Sequence, residues 1–259
     1  MKIIVCVKEV PDTAIALKIK SDSTEIETEN IPWVINPYDE YAMEESLRLK
    51  ERFVGNVTAI TVGTERAESV LKSCIALGAD RAIRINDKSV KDRDGFVTSK
   101  ILAKVIKSIG YDIILCGKES VDYGYAQTGQ MVAEFLQIQC ISAIKKLDVF
   151  PSNKEAACNR EIEGGLEVVK CNLPAVFTAQ KGLNVPRYAS LSGIMRAKKM
   201  KIETLEPDAL DLNPSNYKPK IKITNLSYPP KRLEGKIIQG TLPDTAKELV
   251  RSLQEARYI

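Results

Sequence analysis

Through its first half the chain alternates short, apolar, β-forming runs with amphipathic helical ones, and few folds accommodate that rhythm. Residues 2–7 (KIIVCV), 56–62 (NVTAITV), 81–85 (RAIRI) and 112–116 (DIILC) read as buried strands. Helices fill the intervals. The first opens at Asn36-Pro37, a capping residue followed by proline at the first helical position, and runs through YDEYAMEESLRLKER. The second starts at Thr64 with Ala67, Leu71, Cys74 and Leu77 on one face. The third carries Leu102, Val105, Ile106 and Ile109, and the fourth follows Gly129 with Met131, Phe135 and Leu136. Apolar strands alternating with amphipathic helices imply βαβ units and a mostly parallel, doubly wound sheet covered on both faces.

The rhythm changes after about Gln139. Residues 144–175 are polar and alternating around Pro151, Gly164-Gly165 and Pro174, which predicts antiparallel strands added to the sheet. Residues 175–179 (AVFTA) form a further buried strand. From Gly182 to about Gly240 periodic hydrophobics thin out and Pro186, Pro207, Pro214, Pro219, Pro229 and Pro230 accumulate. So long an irregular stretch is uncommon in a compact domain, so we read an extended arm that wraps a partner. A last helix follows over 244–257, capped by Asp244 and carrying Leu249 and Leu253. The expected division is an α/β domain at 1–182 and a C-terminal arm at 183–259.

Composition removes whole classes of chemistry. Among 259 residues there is no histidine, which excludes Ser-His-Asp and Cys-His catalysis and HExxH zinc sites. None of the six cysteines forms a CxxC pair, so zinc or iron–sulfur ligation has no support and no metal site is expected. Several lie in apolar runs, as buried free thiols do in a reducing compartment. Lys8 and Glu9 interrupt the apolar N-terminus before it resembles a signal peptide, and no run suits a membrane span. The expected location is cytoplasmic, with no membrane insertion. The net charge of +4 is mild and few aromatics sit among the basic residues, so nucleic acid is not an expected partner.

In an open parallel sheet, ligands bind beyond the carboxyl ends of the strands at the switch point. Cys6-Val7-Lys8, Asn36-Pro37-Tyr38, Val62-Gly63-Thr64 and Cys116-Gly117-Lys118 converge there. The last opens into ESVDYGYAQTGQM, a polar, glycine-bearing loop that enters a helix, where backbone N–H groups can hold a phosphate. The plain alternative is that Gly117 and Gly129 only permit turns. Neither a P-loop nor a GxGxxG fingerprint is present.

At this loop the residues carry a family resemblance. Gly117-Lys118-Glu119-Ser120-Val121-Asp122 followed by Gln127-Thr128-Gly129-Gln130-Met131 resembles the AMP-binding loop of electron-transfer flavoprotein beta subunits. Val7-Lys8 with Pro11-Asp12-Thr13, Asn36-Pro37-Tyr38-Asp39 with Glu44-Glu45, and Gly78-Ala79-Asp80-Arg81 are similar to that family too. So are Arg160-Glu161-Ile162-Glu163-Gly164-Gly165-Leu166-Glu167, Leu173-Pro174-Ala175-Val176 and Pro186-Arg187-Tyr188-Ala189-Ser190-Leu191. Cys158 departs from the family signature, which prefers a small aliphatic residue.

The resemblance implies an adenine-nucleotide-binding, Rossmann-like subunit of a heterodimeric electron carrier that catalyses no reaction alone. It implies an alpha subunit holding most of a redox FAD, AMP bound structurally in the beta subunit, and dehydrogenases such as acyl-CoA dehydrogenases of fatty acid β-oxidation as donors. A quinone oxidoreductase or similar protein would be the acceptor. Cys6, Asn36, Pro37, Tyr38, Asp39, Val62, Gly117, Asp122, Ala126, Gln127 and Thr128 match the nucleotide-lining positions. Glu161 matches a carboxylate at the hinge with the flavin domain, and Leu191, Ile194, Met195, Lys198 and Lys199 match a partner-recognition loop. A bifurcating relative would hold a second FAD in place of AMP and take electrons from NADH. Ala126-Gln127 resembles that form and Thr128-Gly129-Gln130-Met131 the AMP form. A stand-alone nucleotide-binding protein of similar fold is the other alternative, and the proline-bearing arm argues against it.

Overall fold

The computed structural model describes residues 1–22, 24–29, 31–86, 94–206, 217–231 and 235–259. Two compact units are resolved, Met1–Thr224 and Asn225–Ile259.

The first unit is built on a nine-stranded sheet. Its strands are β1 (Lys2–Cys6), β4 (Asn56–Gly63), β5 (Arg81–Asn86), β6 (Ile113–Gly117), β7 (Gln139–Phe150), β8 (Glu155–Ile162), β9 (Gly165–Asn172), β10 (Ala175–Ala179) and β11 (Glu203–Leu205). They lie in the order β11-β5-β4-β1-β6-β10-β7-β8-β9. Pairing is parallel from β11 through β7, and antiparallel only where β7 meets β8 and β8 meets β9. Helices α1 (Pro37–Phe53), α2 (Glu68–Leu77), α3 (Gly95–Ile109) and α4 (Thr128–Leu136) connect the strands.

Residue parity in the strands explains why both faces are covered. In β1, Ile3 and Val5 point into a core shared with Met43 and Leu47 of α1 and Leu71 and Cys74 of α2. Ile4 and Cys6 point the other way, into a second core with Ile101, Leu102, Val105 and Ile106 of α3 and Val132 of α4. A strand buried on both sides needs an unbroken apolar run, which is what β1 and β6 supply. The doubly wound α/β architecture expected from the alternation is the one found.

The second half brings several differences. Residues 139–144 run parallel to β10 before the same strand turns antiparallel against β8. A two-stranded antiparallel sheet of β2 (Glu9–Pro11) and β3 (Trp33–Ile35), three residues each, has too little periodicity to be seen in sequence. The segment read as irregular arm contains two elements of the first unit. One is β11, which extends the sheet edge beside β5. The other is helix α5 (Leu191–Lys199), where a loop was expected. Its apolar residues Leu191, Ile194 and Met195 are exposed, and only Ala197 is buried, so burial periodicity could not reveal it. Pro207 and Pro214 of the arm lie outside the described residues.

The second unit holds α6 (Leu242–Glu255). Its N-cap is Thr241, not Asp244, because Pro243 takes an early helical position and starts the helix sooner. The Thr241 hydroxyl donates to the Asp244 carboxylate at 2.8 Å. No residue of α6 is buried, and Leu242, Leu249 and Val250 are exposed.

Candidate functional site

The chain winds outward from β1 through β4 and β5, then returns to lay β6 on the other side of β1. Loops leaving β1 and β6 therefore diverge, and a crevice opens at their carboxyl ends. The start of α1 braces it from within. Asp39 is 5% exposed, and its two oxygens accept from Lys8 N and Gly117 N, each at 2.8 Å. One carboxylate thus ties the end of β1 to the end of β6. Burial pushes the Asp39 carboxyl up to about 7, while the two backbone donors, Asn36 and the Lys8 charge pull the other way. A Cβ on Gly117 would stand 2.4 Å from Asp39 Oδ1 and 2.7 Å from Tyr38 Cβ, so the close approach itself requires glycine.

Asn36 is the N-cap of α1 but makes no side-chain capping bond. Its amide is turned to the loop after β6, donating to Glu119 O at 2.8 Å and accepting from Val121 N at 3.1 Å. Pro37 beside it is exposed and Tyr38 half-buried. The same loop is held a second time by Lys8, whose Nζ meets Asp122 Oδ1 and Oδ2 at 2.8 and 2.7 Å. That ammonium also lies 4.4 Å from the centre of the Tyr123 ring. Gly124 and Ala126 take left-handed φ values of 65° and 50°, bending the chain into α4.

Helix α4 begins at Thr128, within the stretch where the loop was expected to enter a helix. Its first intrahelical bond runs from Met131 N to Gln127 O, so the N–H groups of Thr128, Gly129 and Gln130 precede the ladder and point out of the helix start. Gly129 allows the approach: a Cβ there would lie 2.7 Å from both Cys116 Sγ and Thr178 Cγ2. Gln130 Oε1 is buried without a hydrogen-bond partner. Gln127 is exposed, Ala126 and Thr128 are half-buried, and Val62 at the end of β4 is half-buried as well. Cys6 and Cys116 are register partners on neighbouring strands, and burial pushes the Cys6 thiol up to about 12 and Cys116 well above its ordinary value. Both thiols are thus disfavoured as thiolates by their burial.

A second cluster anchors the approach to α5. Arg187 Nε and Nη2 donate to the Glu44 carboxylate at 2.8 and 3.2 Å, and Nη1 reaches Glu51 at 2.5 Å. Asn184 Nδ2 donates to Glu45 Oε2 at 2.9 Å. Ser190 caps α5 by accepting from Gly193 N, and Arg196 of α5 donates to Ile75 O and Ala79 O at the end of α2. A Cβ on Gly193 would sit 2.1 Å from Ala76 O, so the two helices touch through this glycine. The far side of α5 is left in solvent, with Leu191 79% exposed and Lys198 and Lys199 also outside.

Residues 24–210 match the family model of the electron transfer flavoprotein domain. The chain is 42% identical to the electron transfer flavoprotein subunit beta of Bacillus subtilis (strain 168), with all of both chains covered. It is also 34% identical to the subunit beta of Homo sapiens, over 98% of this chain and 97% of the human one. A third relative, the subunit beta of Methylophilus methylotrophus, is 33% identical over 98% of each chain. This chain belongs to the electron-transfer flavoprotein family, as a beta subunit. Within this flavoprotein subunit, the matched segment takes in the whole crevice except β1 and Lys8, and all of α5.

Glu161, expected to face a basic group of another subunit, is engaged inside the chain: Lys145 Nζ and Gln180 Nε2 donate to its two oxygens at 2.5 and 2.7 Å. The Lys145 bond, then the Gln180 bond, hold its carboxyl below the ordinary range. Sequence reasoning gave no role to Lys8, Glu44 or Glu51. Glu44 and Glu51 are seven positions apart on one face of α1, a spacing that asks for a shared cation, and Arg187 supplies it from far along the chain.

Proposed function

We propose that this chain is the beta subunit of a heterodimeric electron-transfer flavoprotein, binds AMP as a structural ligand in the β1–β6 crevice, and docks partner dehydrogenases through α5. The observation that carries the nucleotide reading is the start of α4, which presents three N–H groups outside the helical ladder beside a glycine-tight contact. The donor set suits a phosphate there, with the Thr128 hydroxyl and Gln127 amide in reach of the same turn. The orphaned Gln130 Oε1 needs a donor, such as a ribose hydroxyl.

FAD, held mainly by an alpha subunit, supplies the redox chemistry when bound. This chain's part is to bind, orient and dock. Residues 183–259 serve as the arm that engages the alpha subunit: Asn184 and Arg187 anchor its root to α1, and α6 offers an apolar face. Leu191 is the docking anchor for dehydrogenases such as acyl-CoA dehydrogenases, and Lys198 and Lys199 steer acidic partners toward it. The complex works in the cytoplasm, and passes electrons on to a quinone oxidoreductase or similar acceptor.

Denaturing the purified heterodimer and identifying the released nucleotides tests the reading. One AMP and one FAD per complex supports it. Two FAD would assign the crevice to a second flavin and to NADH-driven bifurcation. No adenine nucleotide beyond the redox FAD would refute a nucleotide crevice.

A further inference from the structure

The loop from Lys118 to Ala126 is tied at its root by Lys118 N donating to Ala179 O at 2.9 Å, and beyond that by two side-chain clamps of different character. One is the Asn36 amide, 1% exposed, which holds Glu119 O and Val121 N. The other is the Lys8 ammonium, with its side chain 42% exposed against 17% for Asp122. It is bidentate on Asp122, lies 3.4 Å from Ser120 Oγ and sits against the Tyr123 ring. The backbone of Lys8 is itself fixed by Asp39, so its side chain works from a rigid base.

From this asymmetry we propose that Lys8 is a latch: it holds the loop closed at the carboxyl end of β1 and sets the rate at which the bound adenine nucleotide leaves. The proposal rests on the reading that the crevice holds such a nucleotide. Of the two clamps the Lys8 one is the more open to water and salt, so it is the one that opens. Opening it frees the segment carrying Tyr123 and Tyr125, whose rings lie 5.6 Å apart and are 52% and 45% exposed. Lys8 also neutralises Asp122. Without it, the Asp122 carboxylate on this loop stands unpaired. Asp122 is therefore a positioning residue acting through Lys8.

The test uses the purified heterodimer, loaded with radiolabelled AMP and chased with unlabelled AMP. Lys8→Met should speed release about 3- to 10-fold, while Lys8→Arg, which keeps the charge, stays near wild type. Asp122→Asn should also speed release. The double variant Lys8→Met/Asp122→Asn should be no faster than Lys8→Met alone, since both remove one interaction. Wild-type release should quicken between about 0.05 and about 0.5 M salt, and Lys8→Met release should not. Flavin absorbance reports assembly, and Asp122→Asn tests the pair from the other side if Lys8→Met fails to assemble. A wild type that binds AMP, with release unchanged by these substitutions and by salt, overturns the latch alone. A wild type that takes up no labelled AMP removes the occupant and the latch together.

Discussion

Replacing Asp39 with alanine should loosen the junction of β1 and β6. The carboxylate, itself 5% exposed, accepts two N–H bonds, from Lys8 and from Gly117. Stranding a buried donor costs about 1–3 kcal/mol. Both donors are in partly buried positions, so the pair should cost roughly 2–4 kcal/mol. In amide hydrogen exchange of Lys8 and Gly117 that range is an acceleration of about 30- to 1000-fold. Asp39→Asn keeps one acceptor and turns an NH2 toward the other donor, and should fall between alanine and wild type. The pH response adds an independent check. Asp39 is raised from 3.8 to about 7 in the fold, chiefly by burial, so between those values the native state keeps a proton that the unfolded chain has released. Its contribution is therefore full below about pH 4 and declines as pH rises toward 7, with a limiting slope of about 1.4 kcal/mol per pH unit. Asp39→Asn should abolish that slope. Unchanged exchange at Lys8 and Gly117 in Asp39→Ala, or an identical pH slope in Asp39→Asn, would refute the brace.

Gly193→Ala places a methyl 2.1 Å from Ala76 O and should drive α5 off α2; circular dichroism should stay near wild type while electron transfer from a dehydrogenase weakens. Arg187→Ala leaves Glu44, with its side chain 4% exposed, with Arg48 and the backbone N–H of residue 187 but without the guanidinium, and should destabilise the chain by about 1–3 kcal/mol, read as a lower urea midpoint. Leu191→Ala should leave folding and flavin content intact, because the side chain is 79% exposed, yet weaken docking by roughly 1–3 kcal/mol in steady-state transfer against carrier concentration. Charge reversal at Lys198 and Lys199 should instead slow association, with an effect that fades at high salt.

The sequence by itself determined the winding. The runs IIVC of β1 and IILC of β6 are apolar and buried at every position, as a parallel strand covered on both faces needs, so the α/β sheet and its switch point were legible before any contact was known. Asn36, Gly117 and the 127–129 turn were legible for a related reason, since a polar amide at a helix start and glycine at a strand end are local signals. Asn36 also shows the limit of such signals, because its cap-like position conceals a bond to a loop 83 residues away. Only the tertiary structure decided the long-range pairings: Lys8 with Asp122 across 114 residues, Arg187 with Glu44 across 143, and Asp39 with Gly117 across 78. It alone also made α5 a helix. That helix buries one alanine and is held through Arg196 and Gly193 against α2, so its periodicity belongs to the surface it offers and not to a core. Hydrophobic periodicity records what a segment buries. It carries no record of which distant partner completes a charge or tolerates a missing Cβ, and those choices exist only once the sheet has brought the strand ends together.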